Sequence, residues 1–371
     1  MASGGGEVQD MEETTKQKSE RKCELAPPIQ IEKSCVMIVD KRAESEESTD
    51  DDIKEKRDVP DGEVQNGEQP PDDSDTPVNL ETIILDPEAE EVDLNHMRIG
   101  AIQGFEVLKK VQTLCLRQNL IKVIENLEQL VTLNELDLYD NQIRVIQNLE
   151  NLGQLQILDL SFNLLKRIEG LDSMTQLKRL YLVNNKISRI ENLNSLTQLR
   201  LLELGSNRIR EIENLDMLRD LDSLFLGKNK ITKLQNMDTL SNLTVLSVQS
   251  NRLLKIEGLQ SLVNLRELYL SDNGIQVLEG LENNTKLTTL DVASNRIKRI
   301  QNIRHLTELQ EFWMNDNLVD NWADLEELSG AKGLQTVYLE RNPLQKDNQY
   351  RRKIMLALPS IRQIDATFVR F

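Results

Sequence analysis

The chain has 371 residues, 62 of them acidic and 45 basic, which gives a formal net charge of −17. Nucleic acid and anionic membranes repel so acidic a chain at long range, which excludes generic binding to either. The three cysteines, Cys23, Cys35 and Cys115, are odd in number and have no paired spacing, so we expect no disulfide framework and a reducing compartment. No apolar run approaches 18 residues, so the sequence predicts no membrane-spanning helix.

Residues 1–76 are predicted to form an acidic, disordered tail. Residues 1–80 carry 22 acidic and 10 basic residues, so most of the net charge lies here. The segment has few large apolar residues and cannot bury enough surface to offset its ordering entropy. Ser45, Ser48 and Thr49 lie in an acidic run that suits an acid-directed kinase, so they are candidate phosphorylation sites. A merely solvated acidic run explains the same residues equally well.

Residues 77–99 become apolar again and are predicted to form an N-terminal cap and a first imperfect repeat, with Met97 in the position of a later asparagine. Over residues 100–341 an asparagine then recurs every 22 residues, in the pattern L-x-x-L-x-L-x-x-N-x-I/L. The ten asparagines are Asn119, Asn141, Asn163, Asn185, Asn207, Asn229, Asn251, Asn273, Asn295 and Asn317. This pattern is a leucine-rich repeat. We therefore predict an α/β solenoid of twelve repeats, a horseshoe with a parallel concave β-sheet and a convex side of turns and 3-10 segments.

Each repeat contains two columns that we interpret as structural. Leu136 and Leu138 alternate with polar residues as in a short strand, and Asn141 follows where the chain must turn and where its amide can satisfy backbone groups. A second column is always asparagine or glycine, the residue types that tolerate positive φ, and it predicts a left-handed turn in each repeat. Its members are Asn126, Asn148, Gly170, Asn192, Asn214, Asn236, Gly258, Gly280 and Asn302. After the last repeat, residues 342–371 are predicted to form a C-terminal cap with a short amphipathic helix stopped by Pro359.

A third column lies between the two strand leucines and must point out of the concave face. It consists of Asp93, Cys115, Asp137, Asp159, Tyr181, Glu203, Phe225, Ser247, Tyr269, Asp291, Trp313 and Tyr338. Five members are acidic, five are aromatic and none is basic. Because aromatic residues make up 4% of the chain, twelve random positions would hold fewer than one, and strand propensity does not raise that number to five.

The surrounding residues extend this sorting of charge. Glu311 shares the concave face with the column, whereas basic residues such as Lys186 and Arg208 follow each repeated asparagine on the flank. We interpret the concave face as a protein-binding surface with Trp313, Phe225 and Tyr338 as solvent-exposed anchors. Its acidic residues would steer a partner that carries basic patches.

The residue types needed for catalysis are not combined in this sequence. The two histidines, His96 and His305, are far apart and match no metal-ligand spacing, and no phosphate-binding glycine loop or nucleophile motif occurs. We therefore expect no enzyme activity, no cofactor and no metal.

The repeat length, the Ile-Glu-Asn/Gly-Leu turn and the ending from Asn342-Pro343-Leu344 to Leu358-Pro359 resemble the leucine-rich-repeat regulatory subunits of type 1 protein phosphatase. The resemblance covers roughly residues 77–371. It implies a non-catalytic subunit of the nucleus and cytoplasm, with a role in mitosis. Its concave face would bind the phosphatase catalytic subunit and control its activity, targeting or assembly. The resemblance also implies a further phosphatase inhibitor in a ternary complex. It implies no direct contact of this protein with nucleic acid or membrane.

Eight residues of this chain match the family's contact positions: Asp159, Tyr181, Glu203, Phe225, Asp291, Glu311, Trp313 and Tyr338. Tyr181 departs from the phenylalanine associated with its position but retains the ring. The concave column adds Asp137 and Tyr269 to the predicted partner-binding residues. Two other functions remain open for a repeat of this kind, a nuclear ribonucleoprotein scaffold and a ciliary or cytoskeletal adaptor. The acidic concave face argues against direct RNA contact.

Overall fold

Twelve short parallel strands form the concave side of the molecule in the computed structural model, which describes residues 35–40 and 80–369. The strands are β3 (Glu91–Asp93), β4 (Thr113–Cys115), β5 (Glu135–Asp137), β6 (Ile157–Asp159), β7 (Arg179–Tyr181), β8 (Leu201–Glu203), β9 (Ser223–Phe225), β10 (Val245–Ser247), β11 (Glu267–Tyr269), β12 (Thr289–Asp291), β13 (Glu311–Trp313) and β14 (Thr336–Tyr338). Neighbours in the sheet are neighbours in sequence, and each strand is one repeat from the next. The predicted solenoid with a parallel concave sheet is confirmed.

The core runs through the solenoid as a stack of equivalent side chains. In the repeat of β5, Leu133, Leu136, Leu138 and Ile143 are all fully buried, and the corresponding residues of the other repeats extend the same cluster. The middle residue of each strand from β4 to β14 points into this core. Because each repeat covers its neighbour's apolar face, the core grows with the number of repeats.

The repeated asparagines join adjacent repeats through their side-chain amides. Asn141 Oδ1 accepts a hydrogen bond from Ile121 N of the preceding repeat at 3.0 Å. Its Nδ2 donates to Leu116 O of that repeat at 2.9 Å and to Leu138 O of its own at 3.1 Å. The same pattern recurs from Asn119 to Asn342. These contacts confirm the structural role predicted for this column, which we call the asparagine ladder.

The convex side consists of tight turns, as the spacing of three between apolar residues predicts. Leu152 N donates to Leu149 O and Leu155 N to Leu152 O, both at 3.0 Å, so two turns follow each other. In residues 80–369, 3-10 helices occur only at Phe105–Val107, Trp322–Leu328 and Pro343–Lys346. The second of these occupies the repeat whose asparagine spacing stretches to 25, because the longer repeat has room for it.

Two columns of the solenoid adopt the left-handed backbone conformation. The predicted column is confirmed, with φ of 56° at Asn126 and 69° at Gly258. Asn126 Nδ2 also donates to Ile102 O of the preceding repeat at 2.6 Å, and a Cβ at Gly258 would lie 2.4 Å from Leu234 O. The second column directly precedes the asparagine ladder and was not predicted. It accepts residues as different as Phe162 and Lys228, with φ of 56° and 53°.

The N-terminal end differs from the prediction in one respect. Strand β1 (Cys35–Asp40) pairs antiparallel with β2 (Leu80–Leu85) in a separate two-stranded sheet, although residues 35–40 fall in the segment expected to be disordered. The run Val36–Val39 is apolar and mostly β-branched, which favours a strand within an otherwise acidic sequence. Leu85 is buried in the core. The remaining residues of the predicted tail, including Ser45, Ser48 and Thr49, lie outside the described residues.

The C-terminal end is closed by helix α1 (Tyr350–Ala357) and the strands β15 (Gln363–Ile364) and β16 (Thr367–Phe368). Buried Asp365 accepts hydrogen bonds from Leu339 N at 2.9 Å and Glu340 N at 3.0 Å, and the hydroxyl of Tyr350 donates to it at 3.2 Å. This carboxylate therefore satisfies backbone groups at the open end of the last repeat. Within residues 35–40 and 80–369, no helix has the length and apolar character needed to cross a membrane.

Candidate protein-binding face

The acidic and aromatic column forms one continuous strip, because it is the third residue of every strand from β3 to β14. The parallel register places Asp137 beside Asp159, Tyr181 beside Glu203 and Tyr269 beside Asp291. Strands in a sheet lie roughly 4.8 Å apart, so neighbouring members of the column are in contact distance. Nine of the ten predicted binding residues belong to this strip. The tenth, Glu311, lies two residues before Trp313 in β13 and therefore on the same face.

Three rings form an aromatic cluster at the C-terminal end of the strip. The centroid of Trp313 lies 6.4 Å from that of Tyr269 and 5.9 Å from that of Tyr338, both in edge-on geometry. Gln363 Nε2 of the cap donates to the Tyr338 hydroxyl at 2.8 Å, and the Tyr269 hydroxyl donates to Glu267 Oε2 at 2.9 Å. The rings are therefore held in place before any partner arrives.

The anchors are less exposed than the sequence suggested. Trp313, Phe225 and Tyr338 are half-buried rather than solvent-exposed, and Tyr269 and Asp291 are only 7% and 6% exposed. The reason is the narrow strand spacing, since side chains of adjacent strands cover each other's flanks and leave mainly their outer edges free. Tyr269 consequently supports Trp313 more than it offers a surface of its own.

Burial and like charge raise the pKa values of several carboxyl groups on this face. Burial, followed by the neighbouring Asp159 carboxylate, raises the pKa of Asp137 to about 6. Burial also raises the pKa of Asp291, and burial and then Glu267 raise that of Glu311. A face that holds carboxylates against their hydration destabilises the fold, and functional sites commonly carry such a cost.

Replacement of Asp137 by asparagine tests this electrostatic cost. Because the pKa of Asp137 is raised from 3.8 to about 6, the folded state binds more protons than the unfolded state in this window, and stability falls as the pH rises through it. The substituted amide would keep an oxygen that accepts from Tyr139 N without carrying the charge. We expect Asp137→Asn to raise the free energy of urea unfolding at pH 7.5 by about 1–2 kcal/mol, with the gain disappearing near pH 4. An equal gain at both pH values, or one shared by exposed Asp140→Asn, would contradict this origin.

One group on the concave face was missed by the sequence analysis. The Arg117 guanidinium lies 4.4 Å from the centroid of the Tyr139 ring and 3.5 Å from Asp137 Oδ2, and the Phe162 ring packs on Tyr139 at 4.8 Å. Exposed Arg179 begins β7 on the same face. The strip is therefore not free of basic residues at its edges. The alternation of strand residues could have located Arg117, which lies two positions after Cys115.

The side chains of the strip are suited to binding a protein. Among residues 35–40 and 80–369, no group of three or more histidine, cysteine or carboxylate side chains could hold a metal ion. Cys115 is a free, half-buried thiol whose pKa is raised to about 12 by burial and then by nearby carboxylates, so it stays protonated at neutral pH. Preformed rings beside carboxylates are the combination that protein interfaces use for anchoring and steering.

Comparison with known proteins agrees with this architecture. The family model for the leucine-rich repeat matches residues 130–226 and 261–371. An internalin of Listeria monocytogenes covers 77% of this chain and 91% of its own with a TM-score of 0.63, at 24% identity, which bears on the fold alone.

Two relatives share most of the sequence as well. Protein phosphatase 1 regulatory subunit 7 of Xenopus tropicalis is 90% identical over 318 residues, which cover 86% of this chain and 92% of the relative. The human protein of the same name is 81% identical over 346 residues, covering 91% of this chain and 96% of the relative. Both are named as regulatory subunits and the fold is a repeat scaffold, so the chain is not an enzyme. The chain therefore belongs to the leucine-rich-repeat proteins and, among them, to the family of protein phosphatase 1 regulatory subunit 7.

Proposed function

We propose that this protein binds the catalytic subunit of type 1 protein phosphatase through its concave strip and controls the activity, targeting or assembly of that enzyme. The observation that carries the proposal is the strip itself, in which five acidic and five aromatic residues lie among twelve positions on strands in register. The names of the relatives supply the partner. In this proposal the strip is the binding surface, and its aromatic and acidic residues make the contacts.

Two parts of the strip have different tasks in this proposal. The cluster of Tyr269, Trp313 and Tyr338 is preorganised and apolar, so little side-chain entropy is lost when its outer edges are buried. Asp159 and Glu203, which flank Tyr181, give the middle of the strip its negative charge. A basic patch on the partner would pair with these carboxylates and so increase the rate and selectivity of association.

A titration with purified catalytic subunit tests the proposal directly. We expect the native protein to bind and the triple variant Glu203→Ala, Trp313→Ala, Tyr338→Ala to lose at least ~100-fold in affinity, since it removes two anchors and one charge. Circular dichroism would establish that the variant keeps the solenoid. A matched triple variant outside the strip, Glu150→Ala, Trp322→Ala, Met355→Ala, should bind normally.

The possible results of the titration test the identity of the partner and the location of its binding site separately. Equal binding by the native and concave variants would keep the phosphatase as partner and refute the concave strip as its site. No binding by the native protein would refute the type 1 phosphatase as its partner and would favour the ribonucleoprotein scaffold or the ciliary adaptor.

For the complex with the phosphatase, we propose the nucleus and cytoplasm as the compartments. A second phosphatase inhibitor would then occupy the catalytic subunit beside it, and phosphorylation at Ser45, Ser48 or Thr49 would act through the tail.

A further inference from the structure

Four basic residues occupy the same position in four consecutive repeats, directly after the ladder asparagine. Lys186, Arg208, Lys230 and Arg252, which we call the basic flank, are exposed except for half-buried Lys230. The backbone N–H of each donates to a carbonyl oxygen of the preceding repeat at 2.8–2.9 Å. These bonds hold the four segments side by side, so the side chains form a row on the edge of the solenoid, outside the concave strip.

The segments that contain the basic flank carry more basic than acidic residues. Segments 184–190, 206–212, 228–234 and 250–256 together contain nine basic residues and one acidic residue, Glu211. Glu191, Glu213 and Glu257 follow three of these segments directly, and two of the nine basic residues, Arg189 and Lys255, form ion pairs with the next repeat. Glu211 accepts a hydrogen bond from Gln235 Nε2 at 2.7 Å and forms no ion pair with the flank.

Two basic residues close to the basic flank form ion pairs. Arg167 forms an ion pair with Glu191 and Arg189 with Glu213, each one repeat further along. By contrast, the four residues of the basic flank form no ion pair with any described residue. Four cations in a row repel each other, and this arrangement costs stability unless an anionic group lies against it.

The chain contains an anionic segment that is well placed to reach this row. Residues 41–79 hold 14 acidic and five basic residues and lie outside the described residues. The pairing of β1 with β2 fixes both ends of these 39 residues at the N-terminal end of the solenoid. Half of that length spans up to ~65 Å when extended, whereas β10, the strand of the Arg252 repeat, lies only about 35 Å along the sheet from β3.

We propose that the acidic segment 41–79 docks on the basic flank of its own chain. The charges are complementary, and both ends of the segment are held by the same molecule, which gives the contact an effective concentration in the millimolar range. The acidic concave strip would repel the same segment, so the segment is directed to the flank. Added phosphate groups in the run around Ser45 would strengthen the contact, because they increase its negative charge.

Carbodiimide cross-linking of the full-length protein tests this contact, since the reagent joins a carboxylate to a lysine amine that touches it. We expect cross-links from residues 41–79 to Lys186, Lys228 and Lys230. These cross-links should outnumber the cross-links to Lys109. Lys109 lies at the N-terminal end of the solenoid, so a segment that moves freely would react with it most often. Raising the salt from 0.05 M to 1 M should abolish them, because the screening length falls to roughly 3 Å.

Two variants that keep the lysine reporters make the test specific. Arg208→Gln with Arg252→Gln should lower the cross-links at Lys186 and Lys230 about fivefold, as expected for two lost surface ion pairs. Arg219→Gln with Arg352→Gln makes the same change of charge at two exposed positions elsewhere and should have no effect. Cross-links that are strongest at Lys109, that ignore salt, or that respond equally to both variants would overturn the proposal. An equal mixture of isotope-labelled and unlabelled protein in which about half of the cross-links join a labelled to an unlabelled chain would overturn it too, because random pairing between chains gives that fraction.

Discussion

Replacing Asn207 by alanine is expected to lower the free energy of unfolding by about 2–4 kcal/mol. Asn207 Oδ1 is the acceptor for Ile187 N at 3.0 Å, and Nδ2 donates to Leu182 O at 2.8 Å and Leu204 O at 3.1 Å. The two carbonyl groups keep a second donor, because Asn185 and Asn229 also reach them. The buried N–H of Ile187 would lose its acceptor altogether, and this loss dominates the expected cost.

Asn242→Ala is the matched control for this prediction. Its Nδ2 also donates across repeats, to Arg219 O at 3.0 Å, but the side chain is exposed, so water can replace it. We expect a change within about 0.5 kcal/mol for this variant. Urea unfolding followed by circular dichroism gives both values, and amide hydrogen exchange at Ile187 reports the local effect. If Asn207→Ala were as stable as Asn242→Ala, or if exchange at Ile187 stayed slow, the ladder would not contribute as described.

The repeat sequence predicted most of the fold because the same physical requirement is met many times. A single asparagine after a strand has many explanations, but one every 22 residues in leucine-rich surroundings indicates a turn that each repeat must make. The left-handed column at Asn126 and Gly258 was predictable for the same reason, since only these residue types recur there. The second left-handed column was harder to predict. Seven of its eleven residues from Gln118 to Arg341 are Asp, Asn or Ser, but Phe162 and Lys228 also occur there, so no residue type marks this position in every repeat.

The sequence predicted on which face the residues of the candidate site lie, but not how exposed their side chains are. Alternation along the strand places Trp313 and Tyr338 on the concave face, and nothing more than the period of two is needed for that. How far each ring is covered depends on the rotamers of its neighbours, which a sequence pattern does not contain. The same limit applies to the contact of Arg117 with Tyr139, because the position of each residue follows from its strand but the contact between the two side chains does not. The strand at Cys35–Asp40 was missed because the composition of the whole segment outweighed its one short apolar run.

Trp313→Ala is expected to weaken binding of the type 1 phosphatase catalytic subunit by about 2 kcal/mol or more, roughly a 30-fold rise in Kd. The indole ring is half-buried between two tyrosines, so its exposed edge is already rigid and its burial against a partner loses little entropy. Trp322→Ala is the control, because that indole packs on Tyr350 and under Lys353 in the C-terminal cap. It should lower the unfolding midpoint and leave Kd within about twofold. Equal losses of affinity in the two variants would mean that general destabilisation explains the effect.

The contact between Trp313 and Tyr338 predicts that these two residues do not act independently. Their ring centroids are 5.9 Å apart in edge-on geometry, an arrangement that contributes about 0.5–1.5 kcal/mol beyond buried area. Removing either ring leaves the other less well positioned, so each single variant already includes part of the other's loss. We therefore expect the double variant Trp313→Ala, Tyr338→Ala to cost less than the sum of the single variants by about this amount. Additive losses in the titration would show that each ring contacts the partner separately, and the preorganised cluster would then have no role in binding.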